Sequence, residues 1–196
     1  MKIMVVENNY SLYRESRGME TKTGWYVLSD SSMTNTGKPF YLPEDMGATG
    51  VAVSVAVRIS RLGKHIDRKF APRYYSEFAP ALHFKFADYE KRLTSAGLPK
   101  DPAMNFDRAL FVGEFREAAS CNPLFQLYLN KQCVSEFDLK ALNMDVDEII
   151  EELSKLNTLK MGDLILPGLT PWIMVNPDDL LDLIHEEKKE FHVKVK

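Results

Sequence analysis

The residues best suited to acid–base chemistry crowd into one stretch, residues 81–90, "ALHFKFADYE". His83 is followed by Lys85, Asp88 and Glu90. Imidazole exchanges a proton near neutral pH, and a neighbouring ammonium and carboxylates can tune or share it, so a His–Lys–Asp cluster could do acid–base work. The pattern has a plainer reading. Leu82, Phe84 and Phe86 alternate, which puts His83 on the opposite side of a strand. A surface-facing strand edge that runs into a helix accounts for the same residues, and the sequence alone favours it.

Little else in the chain suggests chemistry. His65, His83, His185 and His192 share no metal-ligand spacing. There is no Gly-x-Ser-x-Gly elbow and no phosphate-binding glycine pattern. The acidic pairs Asp145/Asp147, Glu151/Glu152, Asp178/Asp179 and Glu186/Glu187 read as helix capping and solvated turns, because a hard cation needs carboxylates that converge. Cys121 and Cys133 read as two reduced thiols, with a disulfide left open.

The clearest strand is "GVAVSVAVRISRLGK", residues 50–64. Valines at 51, 53, 55 and 57 line one face, and the other carries only Ala52, Ser54 and Ala56 before Arg58. Further strands are expected at 2–6, 25–30, "FYLP", 82–86, "RALFVGEF" and "PLFQLYLNKQCV", the last turning at Asn130-Lys131 into a hairpin. Tyr10 to Arg17 reads as a short helix or loop, and 67–78 has helical spacing limited by Pro72. Residues 145–156, "DVDEIIEELSKL", are the clearest helix. The tail is ambiguous: Leu180, Leu181 and Ile184 fit a helix, while Phe191, Val193 and Val195 alternate as a strand. Together these predict a strand-rich α+β fold, residues 1–196 forming one domain with 1–45 as its N-terminal strand and loop part.

The 196 residues carry a net charge of −3 and 45% hydrophobic residues, which offers no electrostatic footprint for nucleic acid or a membrane surface. No run approaches the roughly 20 apolar residues of a membrane span, and no secretory leader is visible, so the expected location is cytoplasmic.

Taken segment by segment, the chain resembles the fumarylacetoacetate hydrolase family in its short form. "KIMVVENNYSLYRE" resembles the family's opening strand and GxNYxxHxxE loop, and "SDSSMTNTGKPFYLPE" its KPxSxxxxxGxPxxxP stretch. "VAVRISRLGKHI", "APRYYSEF", "FDRALFVGEF" and "EFHVKVK" follow in family order, and "DEIIEELSKLNTLKMGDLI" is the most specific match. The resemblance implies a mixed β-roll with few helices, a homodimer, and a tail of strand and hairpin. It also implies a Mg²⁺- or Mn²⁺-dependent C–C hydrolase, decarboxylase or isomerase acting on 2-oxo or 2,4-dioxo acids.

The departures from the family pattern bear on that activity. The two glutamates of the family's metal-binding E-x-E strand fall on Ala52 and Ser54. In the DFTARDLQ-like stretch, aligning its second acidic residue with Asp88 and its glutamine with Glu90 puts the metal aspartate at His83. The family lysines fall on Met104 and Leu28, and the loop His/Glu pair on Tyr13 and Ser16, with Glu15 adjacent. The TGTP loop becomes "PGLTP", with Leu169 before Thr170. Ala, Ser and His do not replace three carboxylates around a hard cation.

The sequence therefore implies a family-like protein without a bound metal or other cofactor. It would act as a non-catalytic binding or partner protein, for a small 2-oxo acid or an active family paralogue. The pocket positions are Ala52, Ser54, Met104, Leu169 and Thr170. The alternative is a rebuilt, metal-free site around His83, with Lys85, Asp88, Glu90, Tyr13 and Glu15. Trp172 reads as core, and Lys100 as a solvated loop lysine near the pocket mouth.

Overall fold

A computed structural model describes residues 1–10, 22–35, 37–117 and 124–196. The 51–59 run becomes the centre of the molecule. β4 (Thr49–Ile59) pairs antiparallel along its whole length with β5 (Tyr75–Phe86), in a register that sets Ala52 opposite His83, Ser54 opposite Ala81 and Ala56 opposite Ala79. Around this pair grows a mixed sheet in the order β2 (Gly24–Leu28), β1 (Ile3–Glu7), β10 (Leu164–Leu166), β4, β5, β6 (Leu110–Val112), β3 (Met33–Asn35). β1 with β10 and β3 with β6 run parallel. β7 (Arg116–Glu117) joins β5, and β11 (Ile173–Val175) joins β4.

Both faces of this sheet are buried, for different reasons. Val51, Val53, Val55 and Val57, with Leu82 and Phe84, face the larger core. That core is closed by α2 (Val146–Leu156) and by a second sheet of β13 (Lys188–Lys194), β12 (Leu180–His185), β8 (Leu124–Leu129) and β9 (Gln132–Asp138). The second face packs against itself. Ala52, Ala56, Ala79 and Ala81 form one cluster with Ile3, Val5, Leu110, Leu164 and Leu166 from the same sheet, and with Leu169. A sheet that curls onto itself brings distant strands into contact, and side chains of one or two heavy atoms leave the room to do so. This explains the silent face of β4: it is the interior of a roll.

Asp145 caps α2, accepting from the Glu148 N–H at 2.9 Å while Glu148 accepts from the Asp145 N–H at 3.1 Å. The β8–β9 hairpin turns at Asn130 and Lys131, both at positive φ, as expected. The tail is a hairpin: Glu186 and Glu187 adopt φ of 48° and 64°, and β12 pairs with β13. The helical reading of residues 180–188 gives way because Leu181 and Leu183 alternate into the larger core against β8. "FYLP" is not a strand; Phe40 alone bridges to Val195. The 67–78 segment forms only a 3-10 helix, Arg68–Arg73, before β5 begins. None of the described helices is long and apolar enough to cross a membrane.

Candidate functional site

His83 corrects the reading of a surface-facing strand edge: it is 0% exposed. Alternation placed it correctly on the second face of β5, but that face is inside the roll. A buried imidazole needs partners for both nitrogens. Nδ1 lies 3.0 Å from the Ala109 carbonyl, which can only accept, so Nδ1 carries the proton. Nε2 is then the unprotonated nitrogen, and it accepts from the Tyr26 hydroxyl at 2.9 Å. Burial lowers the His83 pKa to about 4; the Ala109 bond opposes that shift and the Lys85 charge adds to it. At neutral pH His83 is an uncharged ring with its lone pair already engaged.

Beyond Trp172, which meets this ring edge to face, lies a cleft. α1 (Ala87–Ser95) begins where β5 ends, so Lys85 and Glu90 stand on either side of one strand-to-helix junction. Lys85 Nζ lies 2.6 Å from Glu90 Oε2 and 4.5 Å from the Trp172 ring centre, and its side chain is only 12% exposed. Asn8 ends β1 at a φ of 59°. Glu7 pairs there with Lys100 at 2.6 Å. Glu7, Asn8, Lys85, Glu90, Lys100 and Trp172 line a cleft of about 350 Å³. The His83 and Trp172 rings meet edge to face, 5.6 Å apart. Trp172 is a half-buried wall of the cleft that also packs against the inner cluster, and Lys100 is a partly exposed rim residue ion-paired to Glu7.

The structure brings His83, Lys85 and Glu90 together but sends Asp88 elsewhere. Its carboxylate accepts from the Ala48 N–H at 2.8 Å, pinning the loop before β4. Ala52 and Ser54 lie on the same inner face as His83, both fully buried. The Ser54 hydroxyl donates to the Gly168 carbonyl at 2.6 Å. Thr170 is tied to β4, its hydroxyl accepting from the Val53 N–H at 2.9 Å. Leu169 belongs to the inner cluster, and Met104 is fully buried. Tyr13 and Glu15 lie outside the described residues. Sequence reasoning missed Tyr26 and Glu7. Tyr26 is a strand residue of β2 whose partner lies 57 positions away, so no local spacing marks it.

The donor set at this point does not fit a Mg²⁺ or Mn²⁺ ion. Ala52 offers no ligand, the Ser54 hydroxyl is committed to Gly168, and both His83 nitrogens are engaged. Among the described residues no group of three or more His, Cys, Asp and Glu could hold a metal.

The described strands form a strand-rich mixed β-roll, one sheet curled so that its second face becomes an interior. The family model described as fumarylacetoacetate (FAA) hydrolase C-terminal matches residues 3–183, and the chain belongs to that family. It is 22% identical over 174 residues to an oxaloacetate tautomerase of Escherichia coli, covering 85% of this chain and 80% of that protein. It is 25% identical over 175 residues to a mitochondrial oxaloacetate decarboxylase of Dictyostelium discoideum, with the same coverage of 85% and 80%. The fold matches fumarylpyruvate hydrolase from Pseudomonas aeruginosa, solved with Mn²⁺ and pyruvate, at a TM-score of 0.91 and 18% identity over 100% of this chain and 89% of that one.

Proposed function

We propose that this protein is a member of the family without the metal-dependent reaction, and that its cleft binds a small 2-oxo acid without a divalent cation. One observation carries the reading. Where the family resemblance puts three metal carboxylates, this chain has Ala52, Ser54 and a neutral His83 whose nitrogens are both hydrogen-bonded. The ligand class draws support from the named relatives, which act on oxaloacetate, and from the pyruvate in the P. aeruginosa structure. The rim adds Lys85, Lys91 and Lys100 against Glu7 and Glu90, a net positive mouth suited to a small carboxylate. A role for His83 as general base is not favoured, because its acceptor nitrogen is occupied by Tyr26.

Isothermal titration of pyruvate into the protein in excess chelator tests the proposal. Saturable binding is expected, unchanged when Mn²⁺ replaces the chelator. Binding that appears only with Mn²⁺ would overturn it, as would oxaloacetate turnover that requires Mn²⁺.

A further inference from the structure

The Lys85–Glu90 pair gives this cleft more than positive charge. An amine that lines the cleft at 12% exposure has a carboxylate 2.6 Å away and an aromatic face at 4.5 Å. A second ammonium, on Lys100, sits on the same rim. In the stretch that resembles DFTARDLQ, Lys85 and Glu90 fall where the pattern has an uncharged threonine and glutamine. The charged pair stands at the end of β5, its lysine two residues beyond His83, and Trp172 meets both the His83 ring and the Lys85 ammonium.

A lysine beside an acid–base partner in a partly desolvated cleft is the arrangement that condenses with a ketone. We propose that Lys85 forms a reversible Schiff base with the 2-oxo group of the bound acid, an inference that rests on the ligand reading above. Glu90 first takes a proton from the Lys85 ammonium. The freed lone pair attacks the carbonyl carbon, the C=O π pair moves onto oxygen, and a proton shift from nitrogen gives the neutral carbinolamine. Glu90 then returns its proton to the hydroxyl, water leaves, and the nitrogen lone pair closes the C=N bond. The ammonium and ketone become an iminium and one water, with charge and atoms conserved and no oxidant needed. Lys100 supplies the cation for the acid's carboxylate, and Trp172 covers the amine. The positive nitrogen next to the former carbonyl carbon then acidifies the adjacent C3 hydrogens. The cleft would therefore do carbonyl chemistry through an amine where its relatives' pattern uses a metal.

Reductive trapping tests this. The protein is incubated with pyruvate and cyanoborohydride in excess chelator, then examined by intact mass and peptide mapping. One reduced pyruvyl adduct per chain is expected, on the peptide carrying Lys85. The adduct should be lost in Lys85→Arg, which keeps the charge over Trp172, and should form more slowly in Glu90→Gln. Adducts scattered over surface lysines, or a wild-type protein that binds pyruvate by titration yet traps none, would overturn the Schiff base and leave the binding reading intact. Absence of pyruvate binding would instead overturn the reading beneath it. Peptide mapping of the wild type decides the matter even where a variant fails to fold.

Discussion

The Tyr26 hydroxyl donates to His83 Nε2 at 2.9 Å across the inside of the roll, joining β2 to β5 although β1, β10 and β4 lie between them in the sheet. This bond closes the curl at the point where the family resemblance puts a metal ion. With the Nδ1–H donating to the Ala109 carbonyl, it makes a neutral, hydrogen-bonded layer behind the Trp172 wall of the cleft.

The protonation of His83 should be visible in stability. Its folded pKa of about 4 lies below the unfolded value near 6.5, so the unfolded chain binds more protons between them. Stability is then intact above the unfolded pKa and falls as pH drops from about 6.5 toward 4, by about 3 kcal/mol from this residue. Urea unfolding across that range should show the slope. The variant His83→Gln, which can still donate to Ala109 and accept from Tyr26, should flatten it.

Removing the phenol oxygen leaves the buried Nε2 without its donor. Tyr26→Phe is expected to cost about 1–3 kcal/mol at pH 7, read from the urea midpoint. A neutral result would mean that this hydrogen bond does not close the roll.

Thr49 makes the opposite case. Its buried hydroxyl has no hydrogen-bond partner among the described residues. Thr49→Val keeps the shape and deletes the unsatisfied oxygen, so it should stabilise the fold by about 1 kcal/mol. A loss of stability would point to a partner for that hydroxyl.

The alignment of the site can be tested by building the missing ligands back. Ala52→Glu, Ser54→Glu and His83→Asp together bury three like charges and should lower Tm sharply without metal. Mn²⁺ at a hundredfold over its dissociation constant should then return about 3 kcal/mol to the triple variant, and nothing to the wild type. No Mn²⁺ response in a folded triple variant would mean that positions 52, 54 and 83 are not where the ligands converge.

Much of the fold could be read before the structure. The valine series of β4, the Asn130-Lys131 hairpin and the capped helix at 145–156 follow from local pattern, where spacing and capping chemistry decide. The tail was ambiguous because its turn is Glu186-Glu187, carboxylates at positive φ without the usual Asn or Gly. His83 shows where local pattern stops. Period-two alternation assigns a face, but whether that face meets water depends on the sheet curling back onto it, through contacts from β1, β6 and β10. That Ala52, Ser54 and His83 stand at the family's carboxylate positions is what the resemblance implies, and the β4–β5 register sets Ala52 opposite His83. The Tyr26 bond and the Lys100–Glu7 pair were not legible, since they join residues 57 and 93 positions apart.

In the function proposed above, this cleft receives a 2-oxo acid without a divalent cation. Electron paramagnetic resonance of Mn²⁺ titrated with the protein, in the presence of saturating pyruvate, tests it most directly. The signal of free Mn²⁺ should remain undiminished while pyruvate binds. Loss of that signal at one ion per chain, dependent on pyruvate, would contradict the account.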